Sequence, residues 1–431
     1  MRPETVGIAG IVLMLVFMFG GMWVGLAMAL VGFAGCVFLG GMDKALLMLG
    51  GTVYHTLSSY TLTVIPMFVL MSTFIARIGI SSDLFAAAHK WLGHIRGGIA
   101  IATIFACAIF AAICGSSFAE TLAIAKVALP EMRKRGYSEA LSCGCVACGG
   151  TLGILIPPSL GFVAYAMLTE QSVGHLFMAG VLPGILLSAL FIVCIMVISY
   201  IDPKAAPPGE KTPFREKILS LRLTGPALIL ILLVLGGIYV GIFTPTEAGA
   251  IGVCGAFFIA LVSKRFTWQN FVESLWDTVQ TTGSIIVLLV GAYVFSKFMN
   301  LSNLPNVMCD FIGGLAISKY MVFAVVVIIY LIIGMFMDIL SAIVVTVPII
   351  YPVMVSLGFD PIWFGVIVVL LMEAGLVTPP VGMNVFVLSS STSTPMNTIF
   401  RGVWPFVAAI VLCIVILALF PQIALFLPSH M

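Results

Sequence analysis

Gly149-Gly-Thr-Leu-Gly-Ile-Leu-Ile-Pro-Pro-Ser159 interrupts a long apolar segment with glycines and a Pro-Pro pair. A near copy returns later as Leu371-Met-Glu-Ala-Gly-Leu-Val-Thr-Pro-Pro-Val-Gly-Met-Asn384. Proline has no N–H and its ring clashes with the preceding helical turn, so a helix opens at Pro157-Pro158 and again at Pro379-Pro380. Backbone opened at membrane depth is tolerated only where it is buried in protein or lines a polar cavity. Paired breaks in two halves of a chain point to a transporter binding site.

The two stretches share a register. Pro379 − Pro157 is 222, as is Pro380 − Pro158. The same offset of 222 links Gly136 to Gly358, Gly153 to Gly375, Gly180 to Gly402 and Pro183 to Pro405. Spacing is preserved as well as residue type, which marks an internal repeat.

Of 431 residues, 61% are hydrophobic and 8% charged. Such a chain is a polytopic α-helical membrane protein. The alternation expected of a β-barrel is missing. The net charge of +2 says nothing about nucleic acid, but no basic run is long enough to bind it, and no such partner is expected. The first apolar stretch carries no convincing cleavage site and reads as a retained helix. Cys145-x-x-Cys148 has metal or redox spacing, but the cysteines lie in apolar segments and read as small hydrophobes.

Positive residues give the topology. Lys90 and Arg96 precede Gly98–Pro130, and Arg133, Lys134 and Arg135 follow it. Both ends are therefore cytoplasmic. The segment (130 − 98 + 1 = 33 residues) is too short for two spans, so it reads as a re-entrant hairpin with its tip at Cys114-Gly-Ser-Ser117. Residues 320–352 read as a second hairpin, tipped by Gly334-Met-Phe-Met-Asp-Ile-Leu-Ser341 and entering from outside, because its exit has no Lys or Arg. The halves then have opposite orientation, an inverted repeat.

The expected organisation follows. Residues 1–79 are N-terminal scaffold helices and 80–97 an amphipathic interfacial arm. Residues 98–200 form the first transport repeat, with hairpin 98–133 and broken helix 137–168. Residues 202–222 are a cytoplasmic linker, its charges including Glu210 and Lys211. Residues 223–300 hold scaffold helices and a second arm, with Phe266 to Asp277 interfacial and a separate span from Ser284 to Met299. Residues 301–402 are the second transport repeat, with hairpin 320–352 and broken helix 363–388, and 403–431 a C-terminal helix. Asn300 to Lys319 is read as an external loop. Glu247 is read as a helix N-terminal acid.

These motifs resemble the large membrane subunit of tripartite ATP-independent periplasmic (TRAP) transporters, the dicarboxylate-type M subunit. The resemblance rests on Gly115-Ser-Ser117, Pro130-Glu-Met132 with Arg135-Gly-Tyr137, Gly150 to Ser159, Thr244-Pro-Thr-Glu-Ala-Gly249, Met337-Asp338 and Thr378 to Asn384. It covers nearly the whole chain. It implies an elevator-type secondary transporter in the bacterial inner membrane, driven by Na+. It also implies two partners, a soluble periplasmic substrate-binding protein and a small Q-type membrane subunit on a separate chain. Glu120 and Lys126 depart from the small residues that the family pattern suggests after the first hairpin tip.

Sodium is a hard cation that takes oxygen ligands, which unwound backbone and hydroxyls supply. The expected first Na+ site is Ser116, Gly150, Thr151, Gly153 and Ser159. The second is Met337, Asp338, Gly375, Thr378 and Gly382. An organic anion is expected at Ser116, Ser117, Asp338, Thr378 and Asn384, aided by helix N-termini. Ser116, Ser117 and Thr151 have a plainer alternative as helix caps or back-bonding hydroxyls. Asp338 is an acid at membrane depth, where function is the default, whereas Glu373 is equally readable as a buried structural acid. The competing function is a stand-alone carboxylate or ion transporter, coupled to sodium or protons and needing no binding protein. An enzyme is not expected, because no nucleophile–base pair, His-Glu metal motif or nucleotide loop is present.

Overall fold

The computed structural model describes residues 2–209, 212–314 and 318–431. Glu210 and Lys211 of the linker, and residues 315–317 of the expected external loop, lie outside the described residues. The described chain is all-helical, and eight of its helices are long and apolar enough to cross a membrane. With only 8% charged residues, the chain can satisfy its backbone groups in hydrocarbon only within such helices. Large apolar side chains such as Ile185, Val193, Leu232 and Phe258 remain exposed on them, as a lipid-facing surface requires.

Each proline-glycine interruption sits where a helix ends. The first broken helix runs Glu139–Gly149, then Leu152–Leu155, and resumes as Leu160–Thr169 after Pro157-Pro158. The second runs Pro361–Val377 and resumes as Met383–Thr392. Both Pro-Pro bonds are cis. The arms Gly98–Cys114 and Ser117–Lys134 meet at Gly115, and the arms Lys319–Gly334 and Ile339–Ser356 meet at 335–338.

The offset of 222 recurs in the element boundaries. Ser116 and Asp338 are the N-cap residues of the second hairpin arms (338 − 116 = 222). Ser138 and Asp360 cap the two broken helices (360 − 138 = 222). Gly136 and Gly358, just before them, are both left-handed, with φ of 76° and 82°. That conformation favours glycine. The two units interlock. Leu160–Thr169 packs on the second hairpin's arm Ile339–Ser356, while Met383–Thr392 packs on the first hairpin's arm Ser117–Lys134.

Outside these elements, the long helix Trp268–Leu301 packs against Val24–Gly40. Gly25, Gly32 and Gly291 allow the close crossing, since a Cβ on Gly291 would lie 2.1 Å from the Gly25 carbonyl oxygen. Trp268–Leu301 is one continuous helix, where an interfacial segment and a separate span were expected. Its polar run Gln280-Thr-Thr-Gly283 does not break it, because its C-terminal half is held by that crossing. The expected external loop contains a helix, Leu304–Gly314.

Prolines move three expected boundaries. Pro213 is the N-cap of Phe214–Tyr239, so that helix begins inside 202–222, and Pro395 starts Met396–Leu419 before 403. The second broken helix opens at Pro361 and closes at Thr392, outside 363–388. Residues Ile80–Leu92 form an amphipathic helix, tied by Arg265–Asp83 at 2.7 Å to the turn between Pro245–Val262 and Trp268–Leu301. Glu247 completes a capping box with Thr244, the N-terminal role read from its position.

Candidate functional site

The tip of the first hairpin touches the first helix break. Gly115 is left-handed (φ 66°), and a Cβ there would lie 2.9 Å from the Pro158 carbonyl oxygen. Only glycine meets both demands. Beside this contact lies a cavity of about 160 Å³ lined by Ser116 and Ser159, with Ser72 and Thr73 from Val64–Arg77 and Thr281 from Trp268–Leu301. Ser116 is partly exposed to it and makes no side-chain cap bond, so the N-terminus of Ser117–Lys134 is uncapped. Ser159 does cap its half-helix, accepting from the Phe162 N–H at 3.3 Å.

The rest of the expected first set lies behind that cavity. Thr151 is fully buried and donates to the Cys148 carbonyl at 2.7 Å, a back-bond from the turn onto the end of Glu139–Gly149. A Cβ on Gly150 would strike Thr121 Oγ1 at 1.9 Å. A Cβ on Gly153 would strike Glu120 Oε2 at 2.3 Å and lie 3.1 Å from the Ser116 carbonyl oxygen. These glycines admit the hairpin arm against the broken helix. Ser117 is buried, and its hydroxyl has no partner among the described residues.

The second set is arranged differently. Asp338 caps the second arm, its Oδ2 accepting from the Ser341 N–H at 3.1 Å. Gly375 meets the end of the other arm, where a Cβ would lie 2.5 Å from the Gly334 backbone. Thr378 donates to the Ala374 carbonyl at 2.5 Å, and Gly382 turns the chain with φ of 56°. Met337 stands beside Asp338 at the tip. Asn384 is fully buried and donates from Nδ2 to the Ala147 carbonyl at 3.2 Å, so it joins the second break to the first broken helix. None of the second set, nor Asn384, lines the cavity at the first break.

Asp338→Ala removes that cap and is expected to lower stability by about 1 kcal/mol. A thermal melt of purified protein measures it, and an unchanged midpoint would show that the cap bond is not formed.

Three wall hydroxyls, Ser72, Thr73 and Thr281, escaped the sequence reading. Their only signal was a pair of hydroxyl residues inside an apolar span, Ser72-Thr73 and Thr281-Thr282. Glu120 was noted but not placed. It is fully buried, while Lys126 on the same arm is exposed, so the two occupy different faces.

A sequence profile described as "Tripartite ATP-independent periplasmic transporter, DctM component" matches residues 11–423. The chain belongs to this TRAP transporter family. It is 38% identical over 378 residues to the "C4-dicarboxylate TRAP transporter large permease protein DctM" of Pseudomonas aeruginosa, covering 88% of each chain. It is 34% identical to the "Isethionate TRAP transporter permease protein DctMQ" of Oleidesulfovibrio alaskensis, covering 86% of this chain and 59% of that one. In fold it is similar to the Alcanivorax borkumensis YdaH transporter, with a TM-score of 0.66 at 13% identity, covering 90% of this chain and 88% of that chain. The TRAP permease is therefore a multi-pass membrane transport subunit and not an enzyme. The buried free thiols of Cys143, Cys145 and Cys148 belong to the packing of its first broken helix, where Cys145 donates to the Ala100 carbonyl.

Proposed function

We propose that this TRAP permease imports an organic anion bearing a carboxylate or similar acid group, coupled to inward movement of Na+. The observation that carries the reading is the first hairpin tip set against the first break, around a cavity walled by hydroxyls and an uncapped helix N-terminus. An uncapped N-terminus presents free N–H groups and partial positive charge to an anion. Its counterpart on the second hairpin is already occupied by Asp338, which favours the first hairpin as the anion's seat. Neither Lys nor Arg lines the cavity, so bound Na+ would supply the balancing positive charge. That arrangement couples the two solutes, because each lowers the electrostatic cost of the other.

The first Na+ seat in this reading uses Ser116, Gly150, Thr151, Gly153 and Ser159, with backbone carbonyls at the opened helix. The second uses Met337, Asp338, Gly375, Thr378 and Gly382. The hairpins and broken helices, interlocked with one another, would move as one body against the scaffold in an elevator cycle. The two repeats would enter the bilayer from opposite sides, as the charge distribution around the first hairpin suggests. A periplasmic binding protein would deliver the anion to the inner membrane, and a Q-type subunit would accompany this chain. The fused name of the isethionate relative supports the latter.

The test is uptake into proteoliposomes holding the permease with its Q-type subunit. Expected is uptake that needs both a sodium gradient and the cognate binding protein. Uptake indifferent to sodium would overturn the coupling. Uptake without any binding protein would select the stand-alone transporter instead.

A further inference from the structure

We propose that Glu120 supplies the fixed negative charge of a buried monovalent-cation seat between the first hairpin's second arm and the first broken helix. This rests on the sodium-coupled reading and adds a ligand that neither motif spacing nor the helix breaks assigned. Ser117, Glu120 and Thr121 stand at i, i+3 and i+4 on one face of the arm, where side chains are neighbours. All three are buried, and among the described residues their side-chain oxygens have no hydrogen-bond partner apart from the Cys107 thiol beside Glu120. That face meets the broken helix where glycines make room. Glu120 Oε2 fills the place of a Gly153 side chain, 2.3 Å from where its Cβ would be, and the Ser116 carbonyl oxygen lies 3.1 Å from the same point. Thr121 Oγ1 occupies the place of a Gly150 side chain.

None of the six ion pairs among the described residues includes Glu120. The donor beside Glu120 is the Cys107 thiol, a weak one, so a charged carboxylate here still calls for a counter-charge. The oxygens along this face are a carboxylate, hydroxyls and a carbonyl, a set suited to a hard cation. Glu373 is also fully buried, and its carboxyl makes no hydrogen bond among the described residues. Ala119, the neighbour of Glu120, faces the cavity instead. The cation would thus sit behind the arm and the anion in front of it, one residue apart along the helix.

The readout is the unfolding midpoint of the purified subunit complex as choline chloride is replaced by sodium chloride at constant ionic strength. Binding to the folded state alone raises the midpoint with ligand concentration. The wild type is expected to show this rise, Glu120→Asp to show it at several-fold higher sodium, and Glu120→Gln to need at least ten-fold more. A Glu120→Gln protein that responds to sodium like the wild type overturns the assignment while leaving sodium coupling intact. A wild type with no rise overturns the seat in this state, and sodium-independent uptake would remove the coupling itself. If lowering the pH without sodium reproduces the rise in the wild type but not in Glu120→Gln, the occupant is a proton and the proposal fails. Should Glu120→Gln not fold, Thr121→Val removes one oxygen at constant shape. It is expected to weaken the sodium response several-fold, and an unchanged response overturns the proposal.

Discussion

Gly402→Ala is expected to reduce folded, monodisperse protein to a small fraction of the wild-type yield. A Cβ on Gly402 would lie 1.8 Å from the Ala140 carbonyl oxygen, and one on Gly144 would lie 2.3 Å from the Gly402 carbonyl oxygen. Both obstacles are backbone, so no side-chain rotation relieves them. The last long helix, Met396–Leu419, would have to withdraw from the first broken helix along their whole crossing. Overpacking a well-filled core costs about 1–3 kcal/mol when side chains can adjust, and this contact lacks that escape. Gly236→Ala is the control, since a Cβ there meets nothing within 4 Å. It is expected to be neutral or to stabilise by about 0.5–1 kcal/mol through helix propensity. Size-exclusion profiles of the two variants decide the matter, and equal profiles would mean that the helices do not cross so closely.

Gly375→Ala is expected to lower uptake at least ten-fold while the protein still reaches the membrane. Its Cβ would come within 2.5–2.9 Å of Gly334 backbone atoms, forcing the second hairpin away from the second break. Gly153→Ala, at the matching position of the first repeat, meets a side-chain oxygen first and the Ser116 backbone at 3.1 Å. The arm can give slightly there. Its expected effect is a higher sodium concentration for half-maximal uptake, with part of the maximal rate retained. Initial rates in proteoliposomes at several sodium concentrations separate the two. Normal uptake by Gly375→Ala would sink the role given to the second hairpin tip.

These two positions also show how far the chain is readable. Gly153 and Gly375 were paired by spacing alone, and each is where a hairpin tip approaches a broken helix. The breaks were legible because proline forbids helix continuation whatever surrounds it. Glu120 was legible only as a departure from the family's small residues, because Gly150 and Gly153, which it meets, belong to another segment. Asn384 was legible as a polar residue beside the second break, but not the bond its side-chain N–H donates to the Ala147 carbonyl of the first broken helix. The cavity's far wall was invisible, since Ser72, Thr73 and Thr281 lie on helices that nothing in the repeat connects to it.

By itself the sequence determined the membrane-spanning class, the two helix breaks, the hairpin tips and the 222-residue register. Each of these follows from local chemistry: apolar length, proline's missing donor, glycine's freedom and fixed spacing. Only the tertiary structure decided that the first tip and the first break enclose a cavity, that Trp268–Leu301 is one helix, and that Glu120 faces Gly153. Those depend on packing between segments far apart in the chain, where close approach is set by both surfaces together.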